Sequence, residues 1–335
     1  MRADILIVGQ GIAGTLLAWE MERAGFSFEI AEAGLASASR IAAGIVNPIT
    51  GRRLVKSWGV DAFLPTAGDT YRELEAALGV TCWRELRVWR LFADERERGI
   101  FSAKEARGEL APFAGARDEE GFWIEGAARV DFAALLDAAR DRWRRQSRWR
   151  EGAVEPVEAT EHYALVVDCR GLATSRAGTW DFVPWEFSKG EVLNVAAAGL
   201  VPDVVLNGGH WVLPLAQGSA LVGATHEPGV TDAGPSAAGR AVLEASAATL
   251  LQRPFAVTSH VAGVRVNLPD KRPVIGRHPE HSRLGVFNGL GAKGALTAPA
   301  LARQWREHLA TGAPIAADVA AARFFPGHSS QALSH

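Results

Sequence analysis

Cysteine, tyrosine and net charge are all scarce in this chain of 335 residues. Two cysteines, Cys82 and Cys169, can build neither a disulfide framework nor a four-ligand zinc site, so no metal is expected and the usage suits a reducing compartment. Lysine plus arginine (36) nearly balances aspartate plus glutamate (38), so no overall field draws the protein to nucleic acid or to an anionic membrane. The apolar stretches are broken by Gly, Asp or Glu well short of the roughly 20 residues that span a bilayer. No export-type leader precedes the first apolar strand, and the expected location is the cytoplasm. What remains is an ordinary folded composition, 48% apolar and 22% charged. The length exceeds the roughly 250–300 residues at which one core stops growing, which predicts two domains.

Glycine is the residue in surplus, 35 copies against a usual share of about 7%. The densest use comes first. Ile5–Val8 is a continuous apolar run, as in a parallel strand buried on both faces. Gly9-Gln10-Gly11-Ile12-Ala13-Gly14 follows, then a helical pattern over Ile12–Arg23, a stop at Gly25, and a second strand ending in Glu32. Gly9 permits the tight turn, Gly11 clears a Cβ so that a pyrophosphate can approach, and Gly14 lets helix and strand pack closely. The helix N-terminus offers free amides to phosphate. Glu32 stands 23 residues after Gly9, where a carboxylate accepts hydrogen bonds from a ribose diol and repels a 2′-phosphate. This pattern predicts a dinucleotide-binding βαβ unit without choosing between NAD and FAD.

Further blocks follow in order: S-R-I-A-A-G-I-V-N-P-I-T-G over Ser39–Gly51, V-V-D-C-R-G over Val166–Gly171, and K-G-E-V-L over Lys189–Leu193. W-V-L-P-L and L-V-G-A-T fall within 211–225, G-V-R-V-N-L-P-D-K-R-P-V-I-G over Gly263–Gly276, and F-N-G-L-G-A-K-G-A-L-T-A-P over Phe287–Pro299. The series resembles the FAD-dependent amine oxidoreductases of the D-amino-acid oxidase and glycine oxidase superfamily over nearly the whole chain. The resemblance implies non-covalent FAD in an extended pose, held by Gly9, Gly11, Ile12, Ala13, Gly14, Glu32, Ala33, Arg40, Ala43, Gly44, Gly171, and the run Gly289, Leu290, Gly291, Ala292, Lys293 and Gly294. A second nucleotide site at Gly289–Gly294 is excluded because only about forty residues follow, too few for another half-fold. That loop instead reads as a helix N-terminus facing the pyrimidine edge of the flavin, with a glycine-rich loop for tight packing as the alternative.

The implied fold is α/β: a Rossmann-like FAD-binding domain interleaved with a smaller α+β substrate domain on an antiparallel or mixed sheet. Residues 1–78, 126–182 and 261–325 are assigned to the first, 79–125 and 183–260 to the second, and 326–335 to a mobile tail. Amphipathic helices are predicted over 64–78, 131–145, 236–251 and 295–309.

The expected reaction is oxidation of the C–N bond of a small amino acid or secondary amine to an imine that hydrolyses, with dioxygen or another acceptor taking the electrons. Arg265 matches the position at which the family binds a substrate carboxylate; pairing with Asp270 to brace the loop is the alternative, and Val266 departs from the family's usual proline. Lys293 is a candidate for stabilising reduced flavin, assisting reaction with dioxygen or holding an anion; a solvated lysine is the alternative. Arg52, Arg53 and Lys56 form a basic cluster that could attract an acidic substrate or be a solvated face. His210, Trp211 and His226 are further candidates, the histidines more readily read as structural. Only Tyr71 and Tyr163 are present, both assigned away from the pocket, so the tyrosines that often line such sites in the superfamily are missing. Gly289–Pro299 also resembles the FAD domain of the bifunctional enzyme that processes carboxymethylaminomethyl-uridine in tRNA, which leaves a wobble-uridine side-chain oxidase as an alternative. A flavoprotein that carries electrons without oxidising amines is another.

Overall fold

The computed structural model describes residues 3–34 and 37–326, so the assigned tail lies outside the described residues apart from Pro326. A six-stranded sheet has the spatial order Val274–Arg277, Leu284–Asn288, Leu165–Asp168, Ile5–Val8, Phe28–Glu32, Trp149–Glu151, all parallel except the first pair. Ile5–Val8 lies inside it, in register with Phe28–Ala31 on one side and Leu165–Asp168 on the other. This explains the unbroken apolar run. Alternate side chains of a strand point to opposite faces, so Ile5 and Ile7 join one core with the helices Ile12–Arg23, Phe132–Arg145 and Gly294–Thr311, while Leu6 and Val8 join a second core with Tyr163, Trp180 and Ala321.

A ten-stranded, mostly antiparallel sheet holds the rest. Its longest ladder pairs Glu186–Ala196 with Ala256–Asn267, and it continues through Ser219–Gly223, His210–Pro214, Val204–Gly208, Trp83–Leu91 and Gly121–Val130. Leu193, Val195, Val212, Ala220 and Val222 bury one face against the helix Ala237–Leu251. Val88, Ile124, Val205 and Leu213, on the opposite face, belong to the same core as the dinucleotide helices. The chain passes repeatedly between the sheets. Two expected boundaries, at 125/126 and 260/261, fall inside strands of the large sheet, Gly121–Val130 and Ala256–Asn267.

The helices follow the periodicity. Asp131 and Ser236, expected as first helical residues, are N-caps whose side chains accept from Ala134 and Gly239. The helix expected from residue 64 begins one turn earlier and spans Val60–Leu78, because Gly59, at φ +65°, makes the break that periodicity could not locate. Cys82 and Cys169 are buried and unpaired; burial beside Glu75 and Asp131 pushes the Cys82 thiol up to about 12. No helix among the described residues is long and apolar enough to cross a membrane.

Trp305 joins the last long helix to the small sheet. It is fully buried, its ring lies against Gly285, and its Nε1 donates to the Val286 carbonyl. Trp305→Ala is expected to cost about 3–5 kcal/mol, read as a lower urea midpoint, whereas Leu309→Ala, at a half-buried position of the same helix, should cost clearly less.

Candidate flavin and substrate site

The glycine turn is closed by sterics. Gly9 sits at φ +102°, and a Cβ on it would lie 2.8 Å from the Cys169 carbonyl oxygen; a Cβ on Gly14 would lie 1.9 Å from the Gly9 carbonyl oxygen. Strand, turn and helix therefore touch backbone to backbone. The helix Ile12–Arg23 has no side-chain cap of its own at Gly11. Its first amide is met from outside, by the Ser39 hydroxyl at 3.1 Å from Ile12 N, and Ser39 is placed by its own amide donating to Ser37. Sequence reasoning missed both serines, although Ser39 opens one of the family-like blocks. The Ala13 and Gly14 amides of the first turn lie beyond this cap, as the ends of any helix leave them.

Glu32 stands at the carboxyl end of its strand, with Oε2 accepting from Gln10 N at 2.6 Å and Oε1 from Gly34 N at 2.9 Å. Two backbone donors hold the carboxylate against the turn, each oxygen retaining a lone pair for a diol. Ala33 is exposed beside it. Arg40 pairs with Asp137 at 2.5 Å, and this contact holds the Asp137 carboxyl below its ordinary range. Ala43 is buried, and Gly44, at φ +75°, runs so close to Val130 that a Cβ would lie 1.9 Å from the carbonyl oxygen. Gly171, at φ +58°, turns the chain after Leu165–Asp168 and accepts from Asn288 through its carbonyl.

The loop Gly289–Gly294 meets the large sheet. The Gly291 amide donates to Val266 O at 3.0 Å, and a Cβ on Gly291 would lie 2.3 Å from the Asn267 side-chain oxygen. A Cβ on Gly294 would lie 3.4 Å from Ile12 of the first helix and from Leu290, Ala292 is exposed, and Lys293 is the N-cap of Gly294–Thr311 with no side-chain cap bond. The Lys293 ammonium lies 3.4 Å from the Thr50 hydroxyl, and burial pushes its pKa down. Tyr71, fully buried, donates its hydroxyl to Ala295 O and so braces this helix from beneath; Tyr163 donates to Glu29.

Arg265 lies on Ala256–Asn267 opposite Ser188, on the face that also carries Gly190 and Gly263. Its Nη1 donates to Thr225 O at 3.4 Å, and among the described residues no carboxylate pairs with it. The brace to Asp270 is not formed: Asp270 accepts from Arg323 and from the Arg272 amide instead. Burial pulls the Arg265 pKa below its usual value. Trp211 belongs to the same face, its ring lying across Gly223, where a Cβ would come within 2.7 Å.

The remaining candidates are not gathered here. His210 precedes Trp211 and so points to the opposite face, where Nδ1 meets Ser246 Oγ at 2.7 Å on the helix Ala237–Leu251. His226 is exposed in a loop. The basic cluster is dispersed by acids at helix starts: Arg52 pairs with Asp94 and Lys56 with Asp61, Lys56 also donating to Ala111 O. Arg53 is exposed.

The donor set suits a dinucleotide: a glycine turn without Cβ atoms, a helix N-terminus whose Ala13 and Gly14 amides lie beyond the Ser39 cap, a carboxylate placed for a diol and a second glycine loop. Gly14→Ala is expected to abolish retention of FAD, because the 1.9 Å approach cannot be relieved without opening the turn. The check is the flavin absorbance of purified protein whose far-UV circular dichroism is unchanged. Ser39→Ala should reduce retention without abolishing it.

Residues 4–307 match the protein family described as FAD dependent oxidoreductase. Glycine oxidase of Pseudomonas aeruginosa is 27% identical over 365 residues, covering 94% of this chain and 97% of its own. The tRNA 5-methylaminomethyl-2-thiouridine biosynthesis bifunctional protein of Maricaulis maris is 30% identical over 346 residues, which cover 98% of this chain but 56% of that one. Among solved structures, iminodiacetate oxidase from Chelativorans superposes with a TM-score of 0.75 at 22% identity, covering 92% of this chain and 96% of that one. Glycine oxidase from Geobacillus kaustophilus superposes with a TM-score of 0.73 at 22% identity, covering 94% and 96%. The glycine turn, the second glycine loop and a family match spanning nearly all of the chain lead to one conclusion: the protein belongs to the FAD-dependent oxidoreductase family, and FAD is its cofactor.

Proposed function

We propose that the protein oxidises the C–N bond of a small amino acid or secondary amine that carries a carboxylate, releasing an imine that water hydrolyses. The observation that carries this reading is Arg265. A half-buried guanidinium on the face toward the glycine loop, with one backbone carbonyl and no carboxylate among its described partners, calls for an anion supplied from outside. Bound FAD supplies the two-electron oxidation, returning the electrons to dioxygen or another acceptor. The protein's own work is orientation. Arg265 offers two parallel donors to the carboxylate and fixes the α-carbon. Trp211 covers the same face and limits the length of the side chain admitted. Lys293 and the N-terminus of Gly294–Thr311 place positive charge where electron density accumulates. No acid–base residue is required if the amine binds neutral.

In this reading the flavin lies between the small sheet and the large one, which serve as the cofactor and substrate domains. The two buried thiols suit work in the cytoplasm. The similarity to the Maricaulis protein supports a second reading, in which the amine is a side chain on a tRNA uridine.

Anaerobic mixing with glycine, sarcosine and iminodiacetate should bleach the flavin with at least one of them. A flavin that stays oxidised with all three while tRNA binds in a salt-sensitive manner would favour the second reading. Arg265→Met should raise the KM for the active amine roughly 10–100-fold, the range of about 1.5–3 kcal/mol for a hydrogen bond to a charged group. An unchanged KM removes Arg265 from the site.

A further inference from the structure

We propose that Gly190 is a positioning residue for Arg265: its missing side chain is the space in which the guanidinium lies. This rests on the reading of Arg265 as the carboxylate anchor and adds what holds it in place. A Cβ on Gly190 would fall 2.2 Å from Nη2, 2.3 Å from Nη1 and 2.4 Å from Cζ of Arg265, so any side chain there would push the guanidinium out of its place. All three nearest atoms belong to that one guanidinium. Gly190 has no positive φ, so the backbone does not require glycine there. A glycine inside a strand weakens it, and here the compensating feature is room.

The cross-strand partner is also glycine. Gly263 faces Gly190 directly, again without positive φ, and a Cβ on it would lie 3.3–3.4 Å from Ile41 and Ala38. The pair makes a shallow notch in one face of the sheet. Arg265 enters from its own strand, crosses Glu186–Ala196 above Gly190, and reaches Thr225 O beyond it. Thr225 is fixed in turn, its hydroxyl accepting from Glu191 N at 2.9 Å. At 3.4 Å the bond to Thr225 is long, so the notch rather than that bond sets where the guanidinium rests. Nε and Nη2 make no hydrogen bond among the described residues and stay available to a two-oxygen anion. Displacing the fork by even an ångström would spoil bidentate geometry without removing the charge.

The experiment compares wild type, Gly190→Ala, Arg265→Met and the double variant, each as FAD-loaded protein. Two quantities are read: the Kd of glycolate, a carboxylate without an amine, from the flavin difference spectrum, and KM and kcat for the amine that bleaches wild type. Gly190→Ala is expected to weaken glycolate and raise KM at least tenfold, with kcat changing less and FAD content unchanged. In the Arg265→Met background the same change should add nothing, because the methionine no longer occupies the notch. A Gly190→Ala protein that binds glycolate as wild type does, or losses that add in the double variant, overturns the proposal while leaving Arg265 as the anchor. An Arg265→Met protein indistinguishable from wild type, or a wild-type flavin indifferent to glycolate and all amines, overturns both. Should Gly190→Ala fail to fold, recovery of folded, FAD-loaded protein in the double variant still identifies the guanidinium as the obstacle. Failure of both variants overturns the proposal in favour of a backbone role.

Discussion

The hydrogen bond from the Gly291 amide to the Val266 carbonyl ties the two halves of this protein together. On one side is the loop that opens the last long helix, whose Gly294 packs against Ile12 at the start of the dinucleotide helix. On the other is the strand that carries Arg265. The 3.0 Å contact requires Gly291 at φ +54° with no side chain, since the Asn267 side-chain oxygen occupies the place of a Cβ. Asn267 is itself held by donating to Ser188, the residue opposite Arg265. The glycine loop and the strand that carries Arg265 are thus set against each other by one bond and one side-chain amide. A shift of either sheet would be felt at both.

The local units were readable because they repeat elementary physics. A continuous apolar strand, a glycine turn and a terminal acid predict βαβ, and Ile12–Arg23 has the bounds the pattern gives. The last helix was placed within two residues at either end. Sheet parity was not readable from composition. His210 and Trp211 are adjacent and similarly half-buried, yet alternation sends one to Ser246 and the other across Gly223. Deciding which shares the face of Arg265 needs the neighbouring strands, because Leu213 joins the core shared with the dinucleotide helices while Val212 joins the core under Ala237–Leu251. The partners of the basic cluster were unreadable for a related reason. Arg52 and Lys56 look concentrated in sequence, but Asp94 and Asp61, a helix N-cap and a first-turn acid, lie within reach only after folding.

Glycine shows both regimes. Gly9, Gly44, Gly171, Gly289 and Gly291 have positive φ, and a motif can reveal such positions because the backbone itself demands them. Gly190 and Gly263 do not, and neither stands in a turn. Their reason is a tertiary approach, a guanidinium over one and a short helix over the other. Such glycines can be interpreted only when the faces of the sheet are known.

The two faces of the ladder Glu186–Ala196 and Ala256–Asn267 also differ in how their charges are met. Behind, Lys189 and Glu191 are buried and lie 3.1 Å apart, with His260 2.6 Å from Glu191 and the Ser236 amide and hydroxyl donating to it. Burial pushes the Glu191 carboxyl up, but Ser236 and Lys189 outweigh it and hold it below the ordinary range. Charge there is balanced within the fold and secures the start of Ala237–Leu251. In front, Arg265 faces only a carbonyl among the described residues. Leaving a buried charge unpaired costs more than pairing it within the fold, although the pair still pays for its desolvation. Glu191 follows Gly190 directly, so one strand compensates its charge on one side and clears room for an uncompensated one on the other. The asymmetry leaves the rear face balanced within the fold and the front face with a guanidinium met only by a carbonyl among the described residues.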